Sequence, residues 1–279
     1  MALLVNTNLA ALNAQRNLSK SQNDLNTSLQ RLSSGLRVNS AKDDAAGLYV
    51  GEQMQRDIRG MNQAVRNAAD GISLGQTAEG ALGEIANNLQ RIREITIQAA
   101  NSTVGAGATG LQKEVDQLTQ EISRIVQTSE FNGTKLLSGT GSLNFHVGAS
   151  GAVSNQVTVS IQSMTTIGGY SGVLTATGTV NVLTTAAASA AMSALSASLD
   201  TVNQARATFG AIQNRFEAVI SNLQSSAENL TASRSRIMDA DFAAETAKLT
   251  RAQILQQAGT SILAQANQVP QGALSLLQG

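Results

Sequence analysis

Asp43 and Asp44 stand side by side, and paired carboxylates are a recurrent device for general acid and base work. Their spacing argues against that use. Adjacent residues on a helix point in different directions, so the pair suits an acidic turn at a helix N-terminus, where the dipole favours negative charge. His146 is the single histidine, which excludes a two-histidine metal site and a relay between two imidazoles. It falls in a segment that alternates like a strand, and a structural place on a strand face is the simpler reading. Cysteine is absent, so disulfides, thiolate metal sites and cysteine nucleophiles drop out together. Neither a Walker loop nor a GxGxxG following a strand occurs, and no cofactor is implied. The residues point away from an enzyme.

Charge and composition narrow the remaining classes. Nineteen basic residues balance nineteen acidic ones, so no global field draws the chain to nucleic acid. The first forty residues lean basic through Arg16, Lys20, Arg31 and Arg37 against Asp24, but without interleaved aromatics. No apolar run approaches the roughly 18 residues of a membrane span. The N-terminus MALLVNTNLAALNAQRN has no basic leader, no long apolar stretch and no small-residue cleavage signature, so a cleaved secretory signal is not expected.

These residues must be held by thin, helical architecture. Aromatics are 3% of the chain, Trp is absent, and the 42% hydrophobic content leans on Ala, which contributes little on burial. With Pro270 the only proline, long uninterrupted helices packed through narrow seams are favoured. Leu9, Leu12, Leu18, Leu25, Leu29 and Leu32 make a first helical stripe, which ends at the linker SSGLRVNSAKDDAAGL. A longer helix is predicted from near Gly60 to near Asn101, a rod of roughly 60 Å carrying a heptad seam. Gly71, Gly75, Gly80 and Gly83 weaken it, which points to close helix contact there. After STVGAGATG, Leu111, Val115, Leu118, Ile122 and Ile125 form a shorter, antiparallel return helix.

The period then changes from helical to two. Leu143, Phe145 and Val147 alternate with polar residues, GASGAVSN supplies a turn, and Val157, Val159 and Ile161 alternate again, which predicts a β-hairpin. Thr165 to Thr185 has no clean period. Helix resumes with AAASAAMSALSASLDTVNQAR and a seam through Phe209, Ile212, Phe216, Val219, Leu223, Leu230 and Ile237. A final stripe of Leu255, Ala258, Ile262 and Ala266 runs to Pro270. The predicted fold is mostly α, with long antiparallel coiled-coil helices from both chain ends and a small central β-hairpin region.

One stretch, LQRIREITIQAAN, carries two stripes. Leu89, Ile92, Thr96 and Ala99 belong to the seam, whereas Arg91, Ile95 and Gln98 repeat the same spacing on another face. An apolar Ile95 flanked by long polar side chains suits an interface with a mixed rim, covered by an adjacent copy of the chain. The alternative is that Ile95 broadens the chain's own seam.

The motifs NTNLAALNAQRNL, SLQRLSSGLRVNSAKDDAAGL, NAADGISLGQTAEGAL, LQRIREITIQAAN, EFNGTKLL, NRFEAVISNL, RSRIMDADFAAETAKLTRAQIL and ANQVPQGALSLL, in this order, resemble bacterial flagellin over about residues 1 to 138 and 195 to 279. The resemblance implies a structural subunit that is exported and polymerises into the extracellular flagellar filament, the propeller of swimming motility. It implies residues 1–45 and 236–279 as terminal helices forming an inner coiled coil, 46–138 and 186–235 as a helical rod, and 139–185 as the hairpin and variable region. The short middle implies that large outer domains are missing.

Partners follow from the same resemblance. They are other copies of the chain, a flagellar export chaperone for the stripe Leu255, Ala258, Ile262 and Ala266, filament cap and hook-filament junction proteins, and a host Toll-like receptor. The family's receptor-contact motif matches Gln90, Arg91, Ile95 and Gln98, with Glu114 on the return helix. The other readings weighed are a hook-filament junction protein and a secreted coiled-coil binding protein. The intact SAKDDAAGL-to-LQRIRE block and terminal NQVPQGALSLL favour the filament subunit.

Overall fold

A computed structural model describes residues 8–101, 105–161, 163–164 and 180–277, with side chains to residue 268. Five helices account for most of these: α1 Leu9–Ser34, α2 Ala45–Ala99, α3 Ala108–Thr128, α4 Thr185–Met238 and α5 Phe242–Leu277. Four short strands are β1 Glu130–Phe131, β2 Thr134–Lys135, β3 Gly141–His146 and β4 Gln156–Ile161, paired antiparallel as two hairpins. Fifteen of the residues from Thr165 to Thr185 lie outside the described set. No described helix is long and apolar enough to cross a membrane.

The chain divides into two compact units, Met1–Arg56 with Asn229–Gly279, and Asp57–Glu228. In the first, α1 packs against α5. The pairing is antiparallel, since the Asn8 amide donates to the Ala266 carbonyl at 2.7 Å and the Ser28 hydroxyl to Glu245 at 2.7 Å. Gly35 ends α1 in a left-handed conformation (φ 72°), and its N–H donates to the Arg31 carbonyl. A side chain there would be strained, which is the usual reason for glycine at a helix C-cap. The breaks between helices meet each other: Leu36 and Asp239 form an antiparallel bridge, Arg37 N–H donates to the Met238 carbonyl, and Ala240 N–H donates to Gly35.

The start of α2 corrects the predicted one. The Asp44 carboxylate accepts the Gly47 N–H at 2.8 Å and caps the helix, so α2 begins at Ala45 and runs 55 residues, about 80 Å at 1.5 Å per residue. Gly51 lies within this added length and is a packing site: a Cβ there would meet the Met238 sulfur at 2.6 Å.

In the second unit, one core joins α2 from Ala68 to Ala99, α3 through Val115, Ile122 and Val126, the hairpin through Val147, Val157 and Val159, and α4 from Ala188 to Phe216. The β3–β4 register sets Leu143 opposite Val159 and Phe145 opposite Val157, so the period-two alternation puts these apolar side chains on one face. Asn67 Nδ2 donates to the His146 carbonyl at 2.8 Å and ties the hairpin to α2. Close approach at the α2 glycines holds for Gly71, against Phe216, and Gly75, against Gln213. Gly80 and Gly83 meet nothing within 4 Å, contrary to the expectation for all four. The smaller hairpin turns through Asn132 (φ 48°) and Gly133 (φ 77°), two successive left-handed residues, which suit a two-residue hairpin turn.

Candidate functional site

Ile95 belongs to the core of its own subunit. It is 1% exposed and sits in the cluster that draws on both α3 and α4, which corrects the reading that a neighbouring copy covers it. The physical reason is the number of helices around α2. A helix with one partner buries one stripe; with α3 and α4 both contributing to its core, α2 buries a wider arc that takes in Ile95 beside Ile92, Thr96 and Ala99. The polar members of the stripe stay outside. Gln90, Arg91, Gln98 and Glu114 are all exposed.

Arg91 is held in one posture. Its Nε and Nη2 donate to Glu114 Oε1 of α3 at 3.0 and 2.8 Å, and its Nη1 donates to Glu94 Oε2 at 3.1 Å. The Glu114 hydrogen bonds first, then that of Glu94, push the guanidinium above its ordinary value. Surface ion pairs contribute little to stability, so the consequence is geometric: a fixed, planar, polar platform spanning two helices. Missed in this stretch is Ile97, 50% exposed, an apolar side chain outside both stripes.

The terminal coil shows a second displacement. Along α5 the half-buried and buried positions are Glu245, Leu249, Ala252, Gln256, Gly259, Leu263 and Ala266, a strict alternation of fours and threes. Along α1 they are Ala11, Ala14, Leu18, Ser21, Leu25, Ser28, Arg31 and Leu32. Of the expected stripe, only Ala266 lies in this seam; Leu255 is 50% and Ile262 57% exposed, and Ala258 is exposed too. The stripe sits roughly 100° around the helix from the seam at 100° per residue. Ile254 and Phe242 on α5 and Leu9, Leu12 and Leu29 on α1 are exposed as well. On α5 hydrophobicity points to the outer face because Ala252, Gly259 and Ala266 of the seam are small and let the backbones approach.

The remaining candidates are structural. Asp44 caps α2; Asp43 accepts the Asn39 and Ser40 N–H groups and the Ser40 hydroxyl, whose hydrogen bond holds the carboxyl below its ordinary value. His146 contributes its backbone carbonyl to the Asn67 contact. What the structure offers is therefore surface: apolar side chains left outside a two-helix coil and a rigid polar platform on α2 and α3.

Residues 5–142 match the bacterial flagellin N-terminal helical region, and residues 192–277 match the bacterial flagellin C-terminal helical region. The chain is 42% identical to a flagellin of Halalkalibacterium halodurans over 278 residues, 99% of this chain and 100% of the relative. The chain belongs to the bacterial flagellin family. It is also 43% identical to the flagellin of Bacillus subtilis over 304 residues, 98% of this chain and 99% of that one. Its fold is similar to the crystal structure of Bacillus cereus flagellin, with TM-score 0.50 and 31% identity, covering 61% of this chain and 94% of that one. A flagellin is a structural subunit of the flagellar filament.

Proposed function

We propose that the terminal helices and the helical rod divide the work of the filament. Terminal residues 1–45 and 236–279 form the inner coil around the filament channel, and the helical rod of 46–138 and 186–235 forms the surrounding layer. The exposed set Leu9, Leu12, Ile254, Leu255 and Ile262 carries this reading. A two-helix coil with a seam of small residues buries too little apolar surface to offset backbone ordering of about 1 to 2 kcal/mol per residue. Neighbouring copies supply the missing burial, so the termini order on assembly. The contacts are head-to-tail and do not close, which generates a filament. The role is mechanical and extracellular, with no catalytic step.

Before assembly the same stripe, Leu255, Ala258 and Ile262, suits an export chaperone that shields an amphipathic helix in a groove. Cap and hook-filament junction proteins meet the same surfaces at the filament ends. The platform of Gln90, Arg91, Gln98 and Glu114 suits a host Toll-like receptor in the free subunit. Deletion of 236–279 tests the assignment. Cooled with short filament seeds, the truncated chain is expected not to elongate and not to bind the chaperone; elongation would overturn the inner-coil assignment.

A further inference from the structure

Glu245 is a carboxylate in a coil seam, 5% exposed, where every other described α5 position that is buried or half-buried is neutral. The buried Ser28 hydroxyl donates to its Oε1 at 2.7 Å, Lys248 Nζ to its Oε2 at 3.1 Å, and Arg31 Nη1 of α1 stands 4.0 Å from Oε2. The Ala, Gly, Leu, Ser and Gln positions around it do not need a carboxylate for packing.

The α1 seam repeats itself every seven residues. Ala11, Leu18, Leu25 and Leu32 share one position, and Ala14, Ser21 and Ser28 share the other. Sliding α5 by one heptad sets Ala11 where Leu18 packs and Ser21 where Ser28 stands, so the seam keeps its pattern of apolar and hydroxyl positions at the cost of one leucine contact. The heptad equivalent of Arg31, however, is Asp24. In the slipped register Glu245 would face Ser21 and Asp24, carboxylate against carboxylate. Sliding the other way sets Glu245 against Gly35, beyond the end of α1 at Ser34. We propose that Glu245, read by Ser28 and Arg31 and rejected by Asp24, is the register key of the α1–α5 coil, and that it selects one alignment as the coil forms during assembly. Buried polar groups at coil seams serve this purpose at some cost in stability. The proposal rests on the terminal helices pairing within one subunit of the filament.

The absence of cysteine makes the register measurable. A Cβ on Gly259 lies 3.8 Å from that of Leu18, within disulfide geometry, so the pair Leu18→Cys/Gly259→Cys reports the native alignment. Ala11→Cys/Gly259→Cys reports the slipped one, because seven residues of helix displace the partner by about 10 Å. Each pair is copolymerised as a minor fraction into filaments of the unmodified chain, so that only intrachain bonds are read after mild oxidation. Copolymerisation with no incorporation of the double-cysteine chains would count against the inner-coil reading itself, separately from the key.

With Glu245 intact, the native pair alone cross-links. Glu245→Gln keeps the packing and a hydrogen bond to Ser28 but loses the charge test, and the slipped cross-link is expected to rise at least about ten-fold, the change given by about 1.4 kcal/mol. The swap Asp24→Arg with Arg31→Asp is expected to make the slipped product the major one. Native cross-links alone in both variants would overturn the proposal and leave the Leu36–Asp239 bridge as the determinant of register. Failure of Glu245→Gln to enter filaments into which the reporter pairs alone do incorporate would also overturn it, since the carboxylate would then be required for assembly as such.

Discussion

Gly71 of α2 lies against the ring of Phe216 of α4: a Cβ on Gly71 would come within 2.6 Å of the ring's Cε2 and Cζ. Phe216 is fully buried and is itself fixed edge-on to Phe145 of the hairpin, with centroids 5.4 Å apart and rings at 79°. The contact therefore joins α2, α4 and β3 at one point in the core.

Gly71→Ala brings two opposed effects. Alanine favours the helix by about 0.5–1 kcal/mol, whereas overpacking a filled core costs about 1–3 kcal/mol. The ring cannot swing away without breaking its packing on Phe145, so overpacking wins and a net loss of about 1–2 kcal/mol is expected. Gly80, with open space around it, gives the opposite sign, a gain of about 0.5–1 kcal/mol for Gly80→Ala. Denaturant unfolding of the free subunit, followed by helical signal, checks both.

Ile95 and Arg91 separate what their shared spacing joined. Ile95→Ala leaves a cavity among α2, α3 and α4 and is expected to cost about 2–4 kcal/mol in subunit stability. Arg91→Ala removes only exposed ion pairs and stays within about 0.5 kcal/mol of the parent. On the receptor contact proposed above for Gln90, Arg91, Gln98 and Glu114, Arg91→Ala is expected to weaken binding to the receptor and Ile95→Ala to leave it intact, each measured on folded protein.

Asp44→Ala removes the side-chain acceptor for the Gly47 N–H and is expected to cost about 1 kcal/mol, with fraying of the first turn of α2. Amide hydrogen exchange localised to residues 45–48 reads it directly.

Which parts of the molecule the sequence disclosed follows from what each part is made of. The long helices and the β3–β4 hairpin announce themselves because Ile85, Leu89 and Ile92, or Phe145 and Val157, are large side chains at a clean period. The coil seam does not, because Ala252 and Gly259 do their packing by being small, and Leu255 and Ile262 draw the eye to the outer face. Ile95 was ambiguous for a different reason. Its neighbours along the helix show two stripes, but only the presence of a second packing helix says whether both are buried. Helix α2 starts at Ala45 with Asp44 as its cap and Gly51 packed against Met238, and no periodicity records either contact.

Leu255 and Ile262 are expected to govern assembly and leave the free subunit unchanged. Each is about half exposed, and covering the remainder against a neighbour is worth about 1 kcal/mol per side chain at roughly 25 cal/mol per Å². The double change Leu255→Ser/Ile262→Ser should raise the critical concentration of seeded polymerisation at least about ten-fold, since 1.4 kcal/mol is roughly a factor of ten. An unchanged critical concentration would remove this face from the subunit contacts.

Glu245 makes the coil sensitive to acid. Burial pushes its carboxyl up, but the Ser28 hydroxyl, then Lys248 and Arg31, outweigh burial and leave the group below its ordinary value of 4.5. Asp24 and Arg251 line the same recess. A carboxyl whose value is depressed on folding contributes stability above its unfolded value and loses it as pH falls through the folded one. The hydrogen bond from Ser28 is charge-assisted while Glu245 is ionised, and such bonds contribute about 1.5–3 kcal/mol against about 1 kcal/mol for a neutral pair. Ser28→Ala should therefore lower the thermal dissociation temperature of filaments most near neutral pH, with the gap to the parent narrowing below about pH 4, where unperturbed glutamate is protonated. A gap that stays constant across this range would show that Ser28 acts through packing alone.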